Sequence, residues 1–344
     1  MMSLKTGILT VMLLFSSWST AQELLKPGHP SVYEVVKGDT LWDISDRFLN
    51  SPWRWPEIWH INANIKNPHL IYPGDKLELV YVNGRPQLKL SRGPKIIKLS
   101  PTVGRKPLNQ AIPTVPVDAI VPFLSQPRVL EQEQLKSLPY IVSYGSDHII
   151  GATGITAYVR SIEESNNKKF AIVRPGNAYK DGDTGEVLGY DAAYIGTAAL
   201  RETGDPATVL ITSSESEAWI SDLLLEIDEE KRFRNFTPSA PDSEVEGNII
   251  SVFGGVSEIG QYAIVVLDRG QDNGLKEGSV LEIVQRGETV RDTVTPDSRD
   301  VVTLPDRIAG NMMVFRTFDR VSFAIVMETT RSVHIGDAVR SPSI

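Results

Sequence analysis

One four-residue phrase recurs along the second half of this chain. Its strong copies are Phe170-Ala171-Ile172-Val173, Tyr262-Ala263-Ile264-Val265 and Phe323-Ala324-Ile325-Val326, with a weaker one at Thr208-Val209-Leu210-Ile211. Short apolar runs rich in β-branched and aromatic residues, broken by Gly, Asp and Asn, favour strands over helices. The weak copy and the later phrase Trp219-Ile220-Ser221-Asp222-Leu223-Leu224 align with the third copy and with His334-Ile335-Gly336-Asp337-Ala338-Val339 at a constant offset of 115. This predicts two related β modules, 140–235 and 245–344, divided by a Ser- and Pro-bearing joint at Thr237–Ser243. Chance likeness between amphipathic strands is the plainer alternative.

A length of 344 residues leaves room for at least one further unit. The composition, 41% apolar and 23% charged, fits a folded chain and excludes a wholly disordered or multi-span membrane protein. A net charge of −8 argues against a broad nucleic-acid-binding surface. Cysteine is absent, which removes disulfides, thiolate metal sites, Cys nucleophiles and a lipid-modified N-terminal Cys.

Residues 1–21 combine Lys5, an apolar run from Ile8 to Phe15, and the small-residue ending Ser19-Thr20-Ala21. This is the pattern of a secretory signal peptide cleaved after Ala21. The apolar run is far short of the roughly 20 residues a spanning helix needs. The expected location is therefore the periplasm, in association with cell wall and outer membrane.

Charge divides unevenly. Gln22 to Lys106 carries 13 basic and 8 acidic residues, whereas residues 107–344 carry 21 and 35. No Asp or Glu lies between Leu79 and Val117, a stretch holding Arg85, Lys89, Arg92, Lys95, Lys98, Arg105 and Lys106 among six prolines. Residues 82–139 accordingly read as a Pro-stiffened basic linker, extended between two folded parts.

Ahead of it, residues 31–81 form a compact unit. Val32 to Val36 reads as a strand, and Lys37-Gly38-Asp39 turns the chain into a helix from Thr40 to Leu49. Thr40 and Asp43 have the spacing of a capping box. Ser51-Pro52 opens a second helical stretch including Glu57 to Ala63, and Lys76 to Val80 closes the unit as a strand. The fold class is α+β: a small βααβ unit, the linker, then a mainly β region.

YEVVKGDTLWDISDRF at 33–48 and NPHLIYPGDKLEL at 67–79 closely resemble a LysM domain, the βααβ module that binds N-acetylglucosamine-containing glycans. The Trp-rich insert Ser51-Pro52-Trp53-Arg54-Trp55 departs from the family pattern. The resemblance implies a shallow groove between two loops, Gly38, Asp39, Thr40 and Leu41 on one side and Leu70, Ile71, Tyr72, Pro73 and Gly74 on the other. Acetamido groups need backbone N–H and C=O partners, and sugar faces need apolar contact. Gly38 and Gly74 equally suit tight turns, and Asp39 suits a helix N-terminus. Trp42 and Trp59 are expected in the core, while Trp53 and Trp55 are open to core, glycan or partner contact.

The arrangement as a whole resembles the family of type IV pilus secretin-associated proteins (TsaP). YAIVVLDRGQDNGLKEGSVLEI and FAIVMETTRSVHIGDAV look like that family's FlgT C-terminal-type module. This implies a peptidoglycan-binding adaptor whose β region meets an outer-membrane secretin; another envelope partner is the alternative. A wall hydrolase is the third class. His29, His60, His69, His148 and His334 include no pair two to five residues apart, as a local zinc site requires. Glu215-Ser216 superficially resembles a transglycosylase signature but falls where the other module has Thr330-Arg331, so a surface turn is expected. No catalytic residue, metal or cofactor follows from the sequence.

Overall fold

The computed structural model describes residues 24–343 apart from 60–70, 92–111, 125–128, 146–147, 163–167, 228–235, 254–258, 293 and 295–299. Residues 1–21, read above as a signal peptide, therefore lie outside the described residues.

The N-terminal unit opens with β1 (Val32–Glu34) and α1 (Leu41–Phe48). Thr40 caps α1: its side chain accepts from Asp43 N, while Asp43 Oδ2 accepts from Thr40 N at 3.0 Å, the reciprocal pair expected from the spacing. A short 3₁₀ turn at Pro52–Arg54 leads into α2 (Trp55–Trp59). The sheet continues with β2 (Lys76–Val82) and β3 (Arg85–Ser91), antiparallel in the order β1-β2-β3. Leu41, Ile44, Phe48, Trp55, Ile58, Trp59, Ile71, Leu77 and Leu88 form its core.

The expected linker is corrected in three places. Residues 85–91 are the third strand of this sheet, reached through the two-residue turn Asn83-Gly84, both at positive φ. Such turns match the twist of paired strands. Pro86 is accommodated because β3 is an edge strand. Ile112–Val115 returns to the N-terminal unit, with Ile112 inside its core. Beyond it come α3 (Val117–Leu124), β4 (Val129–Leu130) and α4 (Gln134–Ser137). Residues 82–91, 112–124 and 129–139 are thus folded against neighbours instead of spacing them apart.

The first β module contains β5 (Tyr140–Tyr144), β6 (Thr156–Arg160), β7 (Lys169–Lys180), β8 (Val187–Glu202), β9 (Ala207–Ser214) and β10 (Leu223–Glu226). The second contains β11 (Glu246–Val252), β12 (Ile264–Leu267), β13 (Val280–Gln285), an outlying hairpin of β14 (Thr289–Arg291) and β15 (Val301–Thr303), then β16 (Arg307–Thr317), β17 (Ser322–Thr329) and β18 (Ala338–Arg340). The chain as a whole is therefore mostly β, and α+β describes only its N-terminal unit.

Both modules close on themselves. The first runs β5-β6-β9-β8-β7-β10 and back to β5, with β4 added outside β8. The second is a barrel running β11-β12-β17-β16-β13-β18 and back to β11. Counting the six strands of each in chain order, the two circuits are the same: first, second, fifth, fourth, third, sixth.

Matching turns repeat almost atom for atom. Ile211 N donates to Ile155 O at 3.0 Å in one module, and Val326 N to Ala263 O at 2.9 Å in the other. Trp219 N donates to Asp222 Oδ2 at 2.7 Å, and His334 N to Asp337 Oδ2 at 2.9 Å. The offset of 115 therefore pairs the fifth and sixth strands of the two modules. The strong phrases at 170 and 262 do not correspond, because they lie on a third and a second strand. Their likeness has a physical origin: each forms part of a strand buried on both faces, which demands a continuous apolar run.

The second barrel shows that double burial most fully. Val265, Leu267, Ala324 and Val326 fill its interior, while Ile264, Val266, Phe323, Ile325 and Met327 point outward from the same strands. This outer face is covered by Trp42 and Trp53, by Val115 and Ile120, by Tyr179 and Leu188 from the first module, and by Phe236. Burying a Val, Leu, Ile or Phe side chain is worth roughly 1.5–3 kcal/mol, so this shared cluster holds the three units together. A polar clasp reinforces it. Arg269 Nη1 lies 2.9 Å from Asp181 Oδ2, Gly182 N donates to Asp268 Oδ2 at 3.0 Å, and Asn248 Nδ2 donates to Asp183 Oδ2 at 3.1 Å.

Candidate functional site

The two loops named from sequence lie side by side, pinned by backbone bonds. Val35 N donates to Asp75 O at 2.9 Å, and Gly74 N donates to Val35 O at 2.7 Å. Gly38 (φ +102°) and Gly74 (φ +93°) both occupy the left-handed region, so the turn role of each is met. Asp39 is not the partner of the helix N-terminus. Its Oδ2 accepts from the Tyr33 hydroxyl and from Val36 N, both at 2.9 Å, which braces the turn before α1. Asp43 takes the helix role instead. On the facing loop, Asp75 Oδ2 accepts from Tyr72 N at 3.0 Å.

Exposure separates the candidates. Asp39, Thr40, Leu41 and Ile71 are buried, Tyr72 and Pro73 are half-buried, and Gly38 and Gly74 are exposed. Leu70 lies outside the described residues. The buried members lie beneath the two loops, and Tyr72, Pro73 and the two glycines are on their accessible side.

The structure also brings in residues that the sequence reasoning assigned to a linker. Ile112–Val115 passes between the loops: Ile112 N donates to Ile71 O at 2.8 Å, Leu41 N donates to Pro113 O at 3.0 Å, and Trp42 N donates to Thr114 O at 3.2 Å. Leu41 and Trp42 open α1, and the first N–H groups of a helix have no partner within it. Asp43 N, the third, goes to Thr40 Oγ1 at 3.1 Å. The signal was present in Ile112-Pro113-Thr114-Val115-Pro116, where β-branched residues and the position before each proline favour extended backbone.

The tryptophans separate by role. Trp55 and Trp59 pack in the core of the N-terminal unit, edge to face with ring centres 6.5 Å apart. Trp42 and Trp53 face the second barrel. Glu215 is exposed at the turn after β9, where its N–H donates to Ile195 O; Thr330 N makes the matching bond to Ala309 O. That is the geometry of a strand-end turn. Among the described residues, three carboxylates converge at Asp181, Asp183 and Asp268. Arg269 sits within ion-pair distance of all three, so the group forms the clasp between modules.

Comparison with known proteins agrees with the geometry of the N-terminal unit. Residues 33–79 match the LysM domain family, whose members bind peptidoglycan glycans containing N-acetylglucosamine and are not catalytic. An uncharacterized protein of Bacillus subtilis (strain 168), YqbP, is 40% identical over 60 residues, which cover 14% of this chain. The chain spans only 27% of that relative's length. The chain thus carries a LysM domain, a carbohydrate-binding module, joined to two β modules of matching topology.

Proposed function

We propose that this protein is a non-catalytic periplasmic adaptor that anchors an outer-membrane assembly, the type IV pilus secretin, to the cell wall. The observation that carries the proposal is the LysM domain at 33–79. In this reading, the rim formed by Gly38, Tyr72, Pro73 and Gly74 meets the sugar faces, and backbone groups of Leu41, Trp42 and Ile71 meet the acetamido group. The two β modules supply the protein-binding surface.

One shallow groove gives weak binding by itself. If the β modules sit on a ring of identical subunits, many such contacts act together, and avidity of about 10²–10⁴ becomes available. Co-purification from detergent-solubilised envelopes tests the adaptor. The chain is expected to retain the secretin, and a rim variant such as Pro73→Asp is expected to retain it equally while losing the wall. Wall binding without any secretin would point instead to a general envelope-integrity protein with another partner. Glycan cleavage by the purified chain in a zymogram would overturn the non-catalytic assignment.

A further inference from the structure

The groove between the two LysM loops is already filled. Ile112–Val115 supplies two carbonyls to Leu41 N and Trp42 N and one N–H to Ile71 O. An acetamido group offers the same kinds of partner, a C=O acceptor and an N–H donor. The segment also buries apolar side chains on both sides of the groove. Ile112 joins the LysM core, and Val115 joins the cluster between the LysM domain and the second barrel. Thr114 between them is 3% exposed.

We infer that Ile112–Val115 is the resident ligand of the LysM groove, and that a glycan binds there only by displacing it. The inference rests on the reading that this groove takes glycan. It adds that the groove recognises an extended peptide strand of this same chain through the donors and acceptor a sugar would use. Displacement also withdraws Val115 from the cluster that holds Trp42 and Trp53 against the barrel, so wall binding loosens the LysM domain from the β modules. A site that is open for only a small fraction of the time binds more weakly by that fraction.

Hydrogen exchange on the full chain, with and without an N-acetylglucosamine pentamer, tests the competition without any substitution. Saturating pentamer is expected to speed exchange at Ile112, whose N–H is bonded to Ile71 O, by about tenfold or more, while Leu41 and Trp42 stay protected by the sugar. Ile112→Arg, which removes the strand's anchor in the LysM core, is expected to bind the pentamer roughly tenfold more tightly than the parent chain. Pentamer binding with unchanged exchange at Ile112 would overturn the inference and leave the glycan reading standing. Failure of both the parent chain and Ile112→Arg to bind the pentamer would overturn the glycan reading, and the competition with it.

Discussion

The Tyr262 hydroxyl donates to Oδ1 of Asp43 at 3.2 Å, joining the second barrel to the helix that borders the LysM groove. The other oxygen of Asp43 is committed to Thr40, so a single carboxylate serves both the helix cap and the domain contact. Tyr262 sits at φ +65°, a region costly for a bulky side chain, whereas the matching turn of the first module has Gly154 at φ +87°. The two N–H groups make equivalent bonds, to Val326 O at 2.7 Å and to Ile211 O at 2.8 Å. The two turns share their geometry, and where the first module has a glycine the second barrel has a side chain that reaches the LysM domain.

Tyr262→Phe keeps the ring and the backbone strain but removes the hydroxyl. It should cost about 1 kcal/mol, read as a lower urea midpoint at unchanged slope. No change would mean that the ring's packing, and not its hydrogen bond, holds the domains together.

Stability should fall at both ends of the pH range, for identifiable reasons. Burial, helped by the Asp43 carboxylate, pushes the Tyr262 phenol up to about 12, and burial with Asp222 nearby does the same to Tyr144. A raised folded pKa means that the unfolded chain releases its proton first. The contribution of both tyrosines is therefore complete below pH 10 and drains away between about pH 10 and 12. Asp181 behaves in the opposite sense. Hydrogen bonds from Thr184 N, Asp183 N and Arg269 hold it at about 2, so its contribution is complete above pH 4 and is lost as the pH falls towards 2. Melting temperature followed against pH should show both limbs, and Asp181→Asn should flatten the acid one.

Equivalent aspartates in the two modules should differ in cost. Asp337 accepts from the backbone of its own turn, and its loss to Ala should cost about 1 kcal/mol. Asp222 makes the same turn bond but also receives Arg174 Nε and Nη2, both at 2.8 Å, while the guanidinium lies 3.6 Å over the Trp219 ring. Asp222 is 2% exposed, so Asp222→Ala strands a half-buried arginine and should cost about 3 kcal/mol. Equal urea midpoints for the two variants would contradict the assigned contacts.

The edge strand makes a further prediction. Leu88 on β3 lies in the LysM core, so Leu88→Ala should cost about 2–4 kcal/mol and release the fluorescence of Trp55 and Trp59 early in denaturation. A trace matching the parent chain would place β3 outside the domain.

Local signals carried much of this fold and tertiary cover decided the rest. Thr40 and Asp43 announced the helix cap, and the 115-residue offset located the matching fifth and sixth strands. The Asn83-Gly84 turn was equally legible but was obscured by the basic, proline-bearing sequence around it. Composition marks Ile112–Val115 as extended without saying what it lies against, because its polar contacts are all made by backbone. Trp42 and Trp53 pose the same difficulty: an apolar face must be covered, and only the assembled chain shows that the cover is the second barrel.

Substitutions in the groove must respect that burial. Ile71 is fully buried in a loop that stays with the LysM core, so Ile71→Arg would unfold the domain and report on stability, whereas an arginine at Ile112 leaves the core together with its displaced strand. Pro73 is half-buried at the rim, and Pro73→Asp disturbs the surface that a glycan would meet while leaving the core beneath intact.

The most direct measurement is co-sedimentation with purified peptidoglycan sacculi, comparing the chain with Pro73→Asp and Ile112→Arg, with and without an N-acetylglucosamine pentamer as competitor. The account predicts that the chain pellets with the sacculi, that Ile112→Arg pellets at lower sacculus concentration, and that Pro73→Asp or the competitor leaves protein in the supernatant. A chain that stays in the supernatant together with Ile112→Arg, or one that pellets regardless of competitor and of Pro73→Asp, would contradict wall anchoring through the LysM groove.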